Sequence, residues 1–161
     1  MGTRRPAIGD RAAAAAAVAS VTDPEIPVLT VEDLGIVRRV EVTENGVEVD
    51  ITPTYSGCPA MDRIRQDLVD ALGAAGFDRV EVRTVYSPAW TTDWMSEPGK
   101  RKLAAYGIAP PGRLDSPSRS VLCPRCASEE TREVSEFGST ACKALMACTA
   151  CGEPFDRFKE L

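Results

Sequence analysis

Residues 36–64 read IVRRVEVTENGVEVDITPTYSGCPAMDRI, and this stretch decides the fold. Val47, Val49 and Ile51 alternate with polar residues, and this period of two predicts a strand with one buried face. An Asn-Gly pair at 45–46 separates this strand from an earlier apolar run and is typical of the tight turn in a β-hairpin. We therefore expect two antiparallel strands here.

The apolar period changes to that of a helix where the hairpin ends. Gly76 ends a helical pattern formed by Met61, Ile64, Leu68, Leu72 and Ala75. Residues 78–86, DRVEVRTVY, predict a third strand with Val80 and Val82 on one side. Upstream, the alanines after Asp10 predict another helix, because alanine is the strongest helix former. The order helix, hairpin, helix and strand predicts an α+β domain with helices on one face of a small sheet.

A further helix is predicted downstream, where Ser96 can cap its start and Gly107 can stop it. Trp90 and Trp94 precede that helix and allow two interpretations. They either cover an edge of the core or form an exposed patch that docks a partner.

A Pro/Ser-rich stretch at 109–120 has no periodicity and predicts a linker. We therefore expect a domain over 1–108 and a separate small module over 121–161. The alanine-rich start superficially resembles a signal peptide, but Asp10 and Arg11 interrupt it. No apolar run approaches the roughly 18 residues needed to span a bilayer, so a cytoplasmic protein is expected.

The small module contains two CxxC pairs, Cys123 with Cys126 and Cys148 with Cys151. Two such pairs can form a tetrahedral four-thiolate site, with each pair held by a tight turn. Gly152 suits the left-handed position of the second turn. Residues 155–158 can add a third strand to a hairpin between the pairs, which predicts a zinc ribbon. About forty residues bury too little core to fold without a metal or another staple.

A structural zinc is the first expectation for these four thiolates, and iron, as a mononuclear centre or a cluster, is the alternative. The formal net charge of the chain is −5, and six basic residues stand against seven acidic ones from residue 119 onward. A zinc tetrathiolate adds negative charge, so the module is anionic and unsuited to nucleic acid. A protein-docking role is expected instead.

The chain contains no histidine, which excludes many kinds of enzyme. Ser-His-Asp and Cys-His catalysis cannot be formed. The Glu-x-x-His motifs of di-iron carboxylate proteins cannot be formed either, so direct oxygenase activity is disfavoured. We expect a protein that is not itself an enzyme.

Cys58 stands where the hairpin ends and the second helix begins. If Pro59 is the first helical residue, the amides of Ala60 and Met61 face the sulfur and lower its pKa. The alternative is a buried structural cysteine. A nucleophile is disfavoured, because no histidine can act as base and Glu25, if close, would oppose the thiolate.

Cys142 lies in the segment FGSTACKALMAC and belongs to neither CxxC pair. It is either a small buried hydrophobic residue or an extra thiol beside the metal.

Three ordered motifs carry a resemblance to a known family: DPEI at 23–26, DLGIV at 33–37 and GCP at 57–59. With this spacing the first part of the chain resembles the metal–sulfur cluster assembly domain, a small α+β family tied to iron–sulfur protein maturation. With the CxxC module and FGSTACKAL, the whole chain resembles the D-subunit family encoded with multicomponent phenylacetyl-CoA epoxidases of phenylacetate breakdown.

The resemblance implies an accessory role in maturation or assembly rather than oxygenation. The partner would be a subunit of the epoxidase system, either the di-iron oxygenase or the iron–sulfur flavin reductase. Cys58 would transiently hold iron or an iron–sulfur cluster, with Asp23 and Glu25 beside it. The alternative is a scaffold or interaction module in which the zinc is purely structural.

Overall fold

The computed structural model describes residues 8–115 and 120–161, without the side chains of residues 8 and 9. The chain divides into two units, Met1–Trp90 and Thr91–Leu161. Among the described residues, none of the helices has the length and apolar content that a membrane crossing requires.

The first unit contains a three-stranded sheet and two helices. In chain order its elements are α1 (Ile8–Ala19), β1 (Val37–Thr43), β2 (Gly46–Ile51), α2 (Ala60–Ala74) and β3 (Val80–Thr84). β1 and β2 pair antiparallel, whereas β2 and β3 pair parallel, with β2 in the centre. A parallel pair needs a crossover connection, and α2 supplies it. The α+β prediction is therefore confirmed.

The predicted hairpin is present, but its turn lies one residue earlier than the Asn-Gly pair indicates. Thr43 pairs with Gly46, so Glu44 and Asn45 form the turn. Gly46 begins β2 at φ +135°, and a Cβ there would lie 2.2 Å from the carbonyl oxygen of Arg79. The same oxygen accepts the amide of Val47 at 2.9 Å, so this glycine is needed where β3 approaches β2.

The core of the first unit lies between the sheet and its helices. Inward-facing residues are buried on β2 (Val47, Val49, Ile51), on α2 (Ile64, Leu68, Leu72) and on α1 (Ala14, Val18). On the other face of the sheet, Asp50 accepts from Arg39 at 2.9 Å and from Arg83 at 3.0 Å. The alternation predicted for the strands thus separates an apolar face from a charged one.

The segment between α1 and β1 has no helix and is held by local hydrogen bonds. The amide of Thr30 donates to the Asp33 carboxylate at 3.1 Å, and the amide of Asp33 donates back to the Thr30 hydroxyl at 3.0 Å. Trp90 is buried, and its Nε1 donates to the carbonyl of Leu34 at 2.8 Å. This tryptophan therefore covers a core edge, whereas Trp94 is half-buried.

The second unit begins with a short 3-10 turn, Thr92–Trp94, and α3 (Glu97–Tyr106). As predicted, the Ser96 hydroxyl caps α3 by accepting the amide of Gly99 at 2.9 Å, and Gly107 ends the helix at φ +92°. Its strands are β4 (Ile108–Ala109), β5 (Thr131–Ser135), β6 (Lys143–Cys148) and β7 (Pro154–Phe158).

The second sheet has the order β4-β7-β6-β5. β7 supplies the third strand predicted at 155–158. β4 pairs parallel with β7, which ties residues at the predicted linker to the ribbon. The boundary between the units therefore falls between Trp90 and Thr91, not at the position of 108 that composition predicts. Within the predicted linker of 109–120, positions 116–119 lie outside the described residues.

Candidate metal centre and thiol site

Both CxxC pairs lie in turns of the same construction. The amide of Ala127 donates to the carbonyl of Cys123 at 2.8 Å, and the amide of Gly152 donates to the carbonyl of Cys148 at 3.0 Å. Ala127 and Gly152 both have left-handed backbones, with φ of +58° and +80°. Each turn therefore ends one residue after its second cysteine, and the left-handed position predicted for Gly152 is confirmed.

The two turns bring four sulfur atoms together. The Sγ atoms of Cys123, Cys126, Cys148 and Cys151 all lie within 4.8 Å of one another. Cys123 Sγ lies 3.8 Å from Cys151 Sγ, and Cys126 Sγ lies 3.6 Å from Cys148 Sγ. A tetrahedron with Zn–S bonds of about 2.3 Å has edges of about 3.8 Å, whereas a disulfide is about 2.05 Å long. The donor set therefore fits a tetrahedral metal.

One side of this four-sulfur group is buried and the other is exposed. Cys123 and Cys148 are buried, together with Met146 and Phe155, in the core cluster of the module. Cys126 and Cys151 are exposed. In each CxxC pair, the first cysteine is thus fixed by packing, while the second faces solvent.

The protonation of the thiols is uneven. The backbone amide of Cys151, the Cys126 thiol and the Ala150 amide lower the pKa of Cys148 to about 7, against the effect of desolvation. The Ser128 amide lowers the pKa of Cys126, but its sulfur neighbours and desolvation outweigh that and raise it to about 12. Cys148 therefore forms a thiolate more readily than Cys126 does, and a bound metal would displace the proton from Cys126 as well.

Cys142 is buried and lies just before β6, whereas Cys148 ends that strand. Six residues at about 3.3 Å each separate them by about 20 Å along the strand. The sulfur of Cys142 instead lies 3.1 Å from the Thr140 hydroxyl. This position disagrees with an extra thiol beside the metal and fits the buried small residue.

Cys58 is half-buried and lies two residues before the start of α2. Pro59 occupies the N-cap position, so Cys58 is next to the cap. The amide of Ala60 donates to the sulfur, but the amide of Met61 donates to the Cys58 carbonyl oxygen at 3.3 Å. Of the two amides predicted to face the sulfur, only the first does so.

The predicted lowering of the Cys58 pKa is wrong. Burial raises the pKa of the thiol, and the carboxylates of Glu25 and Asp23 raise it further. The hydrogen bonds from Ala60 and Tyr55 lower it by less. The helix terminus is thus outweighed by desolvation and by two acids from a distant loop.

The charges of Glu25 and Asp23 reach the Cys58 thiol, but Asp23 also has a structural role. It is buried, and its Oδ1 accepts the amides of Glu25 at 2.8 Å and Ile26 at 2.7 Å. In the part of the chain that the structure describes, the four cysteines alone form a group of three or more metal-binding side chains within mutual reach. Cys58 and the two acids do not form such a group.

Sequence reasoning missed Tyr55, whose side chain is hydrogen-bonded to the Cys58 thiol. The amide of Cys58 also donates to the Tyr55 carbonyl at 3.3 Å. The turn residues between Tyr55 and Cys58, including Gly57 at φ +80°, could have indicated that the two residues lie close together.

Two family models match the two parts of the chain. Residues 11–84 match the model described as "Iron-sulfur cluster assembly protein", a stretch that includes Asp23, Glu25 and Cys58. Residues 108–159 match "PaaD zinc beta ribbon domain", a stretch that includes the four clustered cysteines. The cluster-assembly domain and zinc ribbon predicted from the motifs are thereby confirmed.

Relatives and a solved structure agree with these matches. The chain is 48% identical over 147 residues to the D subunit of the "Putative 1,2-phenylacetyl-CoA epoxidase" of Escherichia coli, with 89% of each chain covered. It is 38% identical to a "Fe-S protein maturation auxiliary factor" of Porphyromonas gingivalis, covering 52% of this chain and 81% of the relative. A crystal structure of a domain of unknown function from Bacillus anthracis is 28% identical, with a TM-score of 0.54, covering 59% of this chain and 92% of that one.

Proposed function

The chain belongs to the family of the 1,2-phenylacetyl-CoA epoxidase D subunit, and we propose that it is an accessory maturation subunit of such an epoxidase system. It assists the assembly of iron or an iron–sulfur cofactor in a partner subunit and does not catalyse oxygenation itself. The partner is the di-iron oxygenase or the iron–sulfur flavin reductase of that system. A cytoplasmic location belongs to the proposal, because the cysteines act as reduced ligands.

One observation carries the proposal: the charges of Glu25 and Asp23 act on the Cys58 thiol, and all three residues belong to the stretch that matches the iron–sulfur assembly model. Two carboxylates beside a thiol oppose its ionisation, which disfavours a nucleophilic thiol enzyme. The same carboxylates attract a divalent cation, and the cation can take the place of the thiol proton. The site is therefore better suited to iron than to an electrophilic substrate.

The limited donor set at Cys58 supports transfer over storage. Within the described residues, Cys58 and the two acids lack the mutual reach that the four ribbon cysteines have. Iron or a cluster held there needs further donors from the protein that delivers it or the protein that receives it. Such a shared site releases its cargo when the partner leaves.

The four ribbon cysteines are proposed to hold a zinc ion with a structural role. Cys123, Cys126, Cys148 and Cys151 supply four soft thiolates at separations that suit a tetrahedral ion. The zinc would supply folding free energy to the ribbon, which has a small core. Iron at this position is the alternative.

A scaffold without metal transfer is the second candidate. It is favoured by the raised pKa of Cys58, because a thiol that stays protonated is what a structural cysteine requires. In that case the zinc ribbon simply positions the subunits of the complex.

The two candidates are separated by Cys58→Ser, which keeps nearly the same volume but cannot form a thiolate. The partner subunits are purified from cells carrying the variant, and their iron is measured. Transfer predicts a folded variant and iron-poor partners. Cys142→Ala is the matched control, since it removes a thiol away from the site, and it should leave partner iron unchanged. Full iron with a stable Cys58→Ser protein would favour the scaffold.

A further inference from the structure

An ion pair bridges the two CxxC turns on the exposed side of the four-sulfur group. Arg125 lies between the ligand candidates Cys123 and Cys126, and Glu153 follows Cys151 by two residues. Arg125 Nη1 lies 2.5 Å from Glu153 Oε2. The Arg125 side chain is 67% exposed, so the pair lies at the rim rather than in the core.

The charge around this rim is predominantly negative. Four thiolates around a divalent ion leave a net charge of about −2 on the centre. Arg125 belongs to the first CxxC turn, and its ion pair with Glu153 holds the guanidinium beside the second turn, so the charge of the centre acts on it. Glu153 itself adds a further negative charge beside the thiolates.

We propose that Arg125 is a charge-compensating residue for the four-cysteine metal, retaining the ion by offsetting the negative charge of its thiolates. Glu153 opposes this effect, because its carboxylate competes with the thiolates for the guanidinium. The two partners of one ion pair thus have opposite effects on metal retention. This inference rests on the assignment of the four cysteines as ligands but not on the maturation role.

The opposite effects separate charge compensation from a simple bridge between the turns. If the ion pair only linked the two turns, Arg125→Gln and Glu153→Gln would both remove it and would change zinc release in the same direction. Charge compensation predicts faster zinc release from Arg125→Gln and slower release from Glu153→Gln. Arg125→Lys keeps the charge and should release zinc at nearly the wild-type rate.

The test measures zinc release from the full chain to a chromophoric chelator, at low and high salt. Arg125→Gln should release zinc about two- to five-fold faster than wild type, as expected for the loss of one exposed charge interaction. The difference should shrink at about 1 M salt, where the Debye length is near 3 Å. Zinc-saturated samples are compared by circular dichroism to verify the same fold.

Arg113→Gln is the matched control. Arg113 is also exposed and paired, at 2.9 Å from Asp115, and the charges that act on it are Asp115, Asp93 and Glu97 rather than cysteines. It should release zinc at the wild-type rate. Equal rates for Arg125→Gln and Arg113→Gln, or faster release from Glu153→Gln, would overturn the inference. A wild-type chain without bound metal would instead overturn the ligand assignment on which it rests.

Discussion

Substitutions at the left-handed residues that end the two CxxC turns should change the stability of the ribbon in opposite directions. Ala127 has φ +58°, and Gly152 has φ +80°. A Cβ on Gly152 would have no atom within 4 Å, so Gly152→Ala introduces backbone strain without a collision. A non-glycine residue in this conformation costs about 1–2 kcal/mol.

The unfolded chain offsets part of that strain. Replacing glycine by alanine removes unfolded-state entropy worth about 0.4–1 kcal/mol. Gly152→Ala should therefore lower the free energy of unfolding of the zinc-bound ribbon by about 0.5–1 kcal/mol. By the same arithmetic, Ala127→Gly should raise it by about 0.5–1 kcal/mol.

Denaturant unfolding of zinc-saturated protein, followed by a signal from the ribbon, measures both changes. Because metal binding and ribbon folding are coupled, a chelator titration should rank the three proteins in the same order. A destabilisation of the ribbon by Ala127→Gly as large as that by Gly152→Ala would contradict the prediction. That result would mean that the turns are not equivalent and that the Ala127 methyl group makes a needed contact.

Two further predictions concern the first unit. Gly46→Ala should lower the free energy of unfolding by about 3 kcal/mol or more, because the new Cβ would lie 2.2 Å from the Arg79 carbonyl oxygen. Gly76→Ala meets no atom within 4 Å and should lower it by about 1 kcal/mol. Denaturant unfolding compares the two variants, and similar losses of stability would contradict the close approach at Gly46. Desolvation raises the pKa of Asp50, but hydrogen bonds from two arginines outweigh it, so the folded-state pKa is lowered. Asp50 then adds stability above its unfolded pKa, and this is lost as pH falls through the folded pKa. The stability difference between wild type and Asp50→Asn should thus shrink in acid, and a difference independent of pH would contradict the assignment.

Features encoded by neighbouring residues could be predicted from the sequence. Ser96 and Gly107 act within one turn of α3, and the structure places both as expected. The CxxC spacing likewise requires only short turns, so the four-sulfur group could be identified from Cys123, Cys126, Cys148 and Cys151 alone.

Features that depend on distant residues could not be predicted. Glycine is needed at position 46 because the backbone of Arg79 approaches it closely, and Arg79 reaches it only because β3 pairs with β2. The pKa of Cys58 is raised partly by Glu25 and Asp23, more than thirty residues earlier in the chain. The boundary between the units lies earlier in the chain than predicted, because β4 pairs with β7. With only two residues, β4 has no periodicity that could predict this pairing.

The two cysteine sites have different donor sets and therefore different expected roles. The ribbon presents four sulfurs within 4.8 Å of one another, which suits a resident metal. Cys58 offers one thiol with two nearby carboxylates, which suits cargo that passes to another protein. We propose that Cys58 takes part in this transfer.

The most direct test measures iron transfer between purified proteins without oxygen. Radioactive ferrous iron is added to the full chain mixed with the metal-free oxygenase subunit or reductase, the proteins are separated, and the iron on each protein is counted. We expect the wild-type chain to increase the iron bound by one of these partners over the partner alone, and Cys58→Ser, with its ribbon zinc intact, to increase it little. An equal increase with the wild-type chain and Cys58→Ser, or no increase for either partner with the wild-type chain, would contradict the proposal.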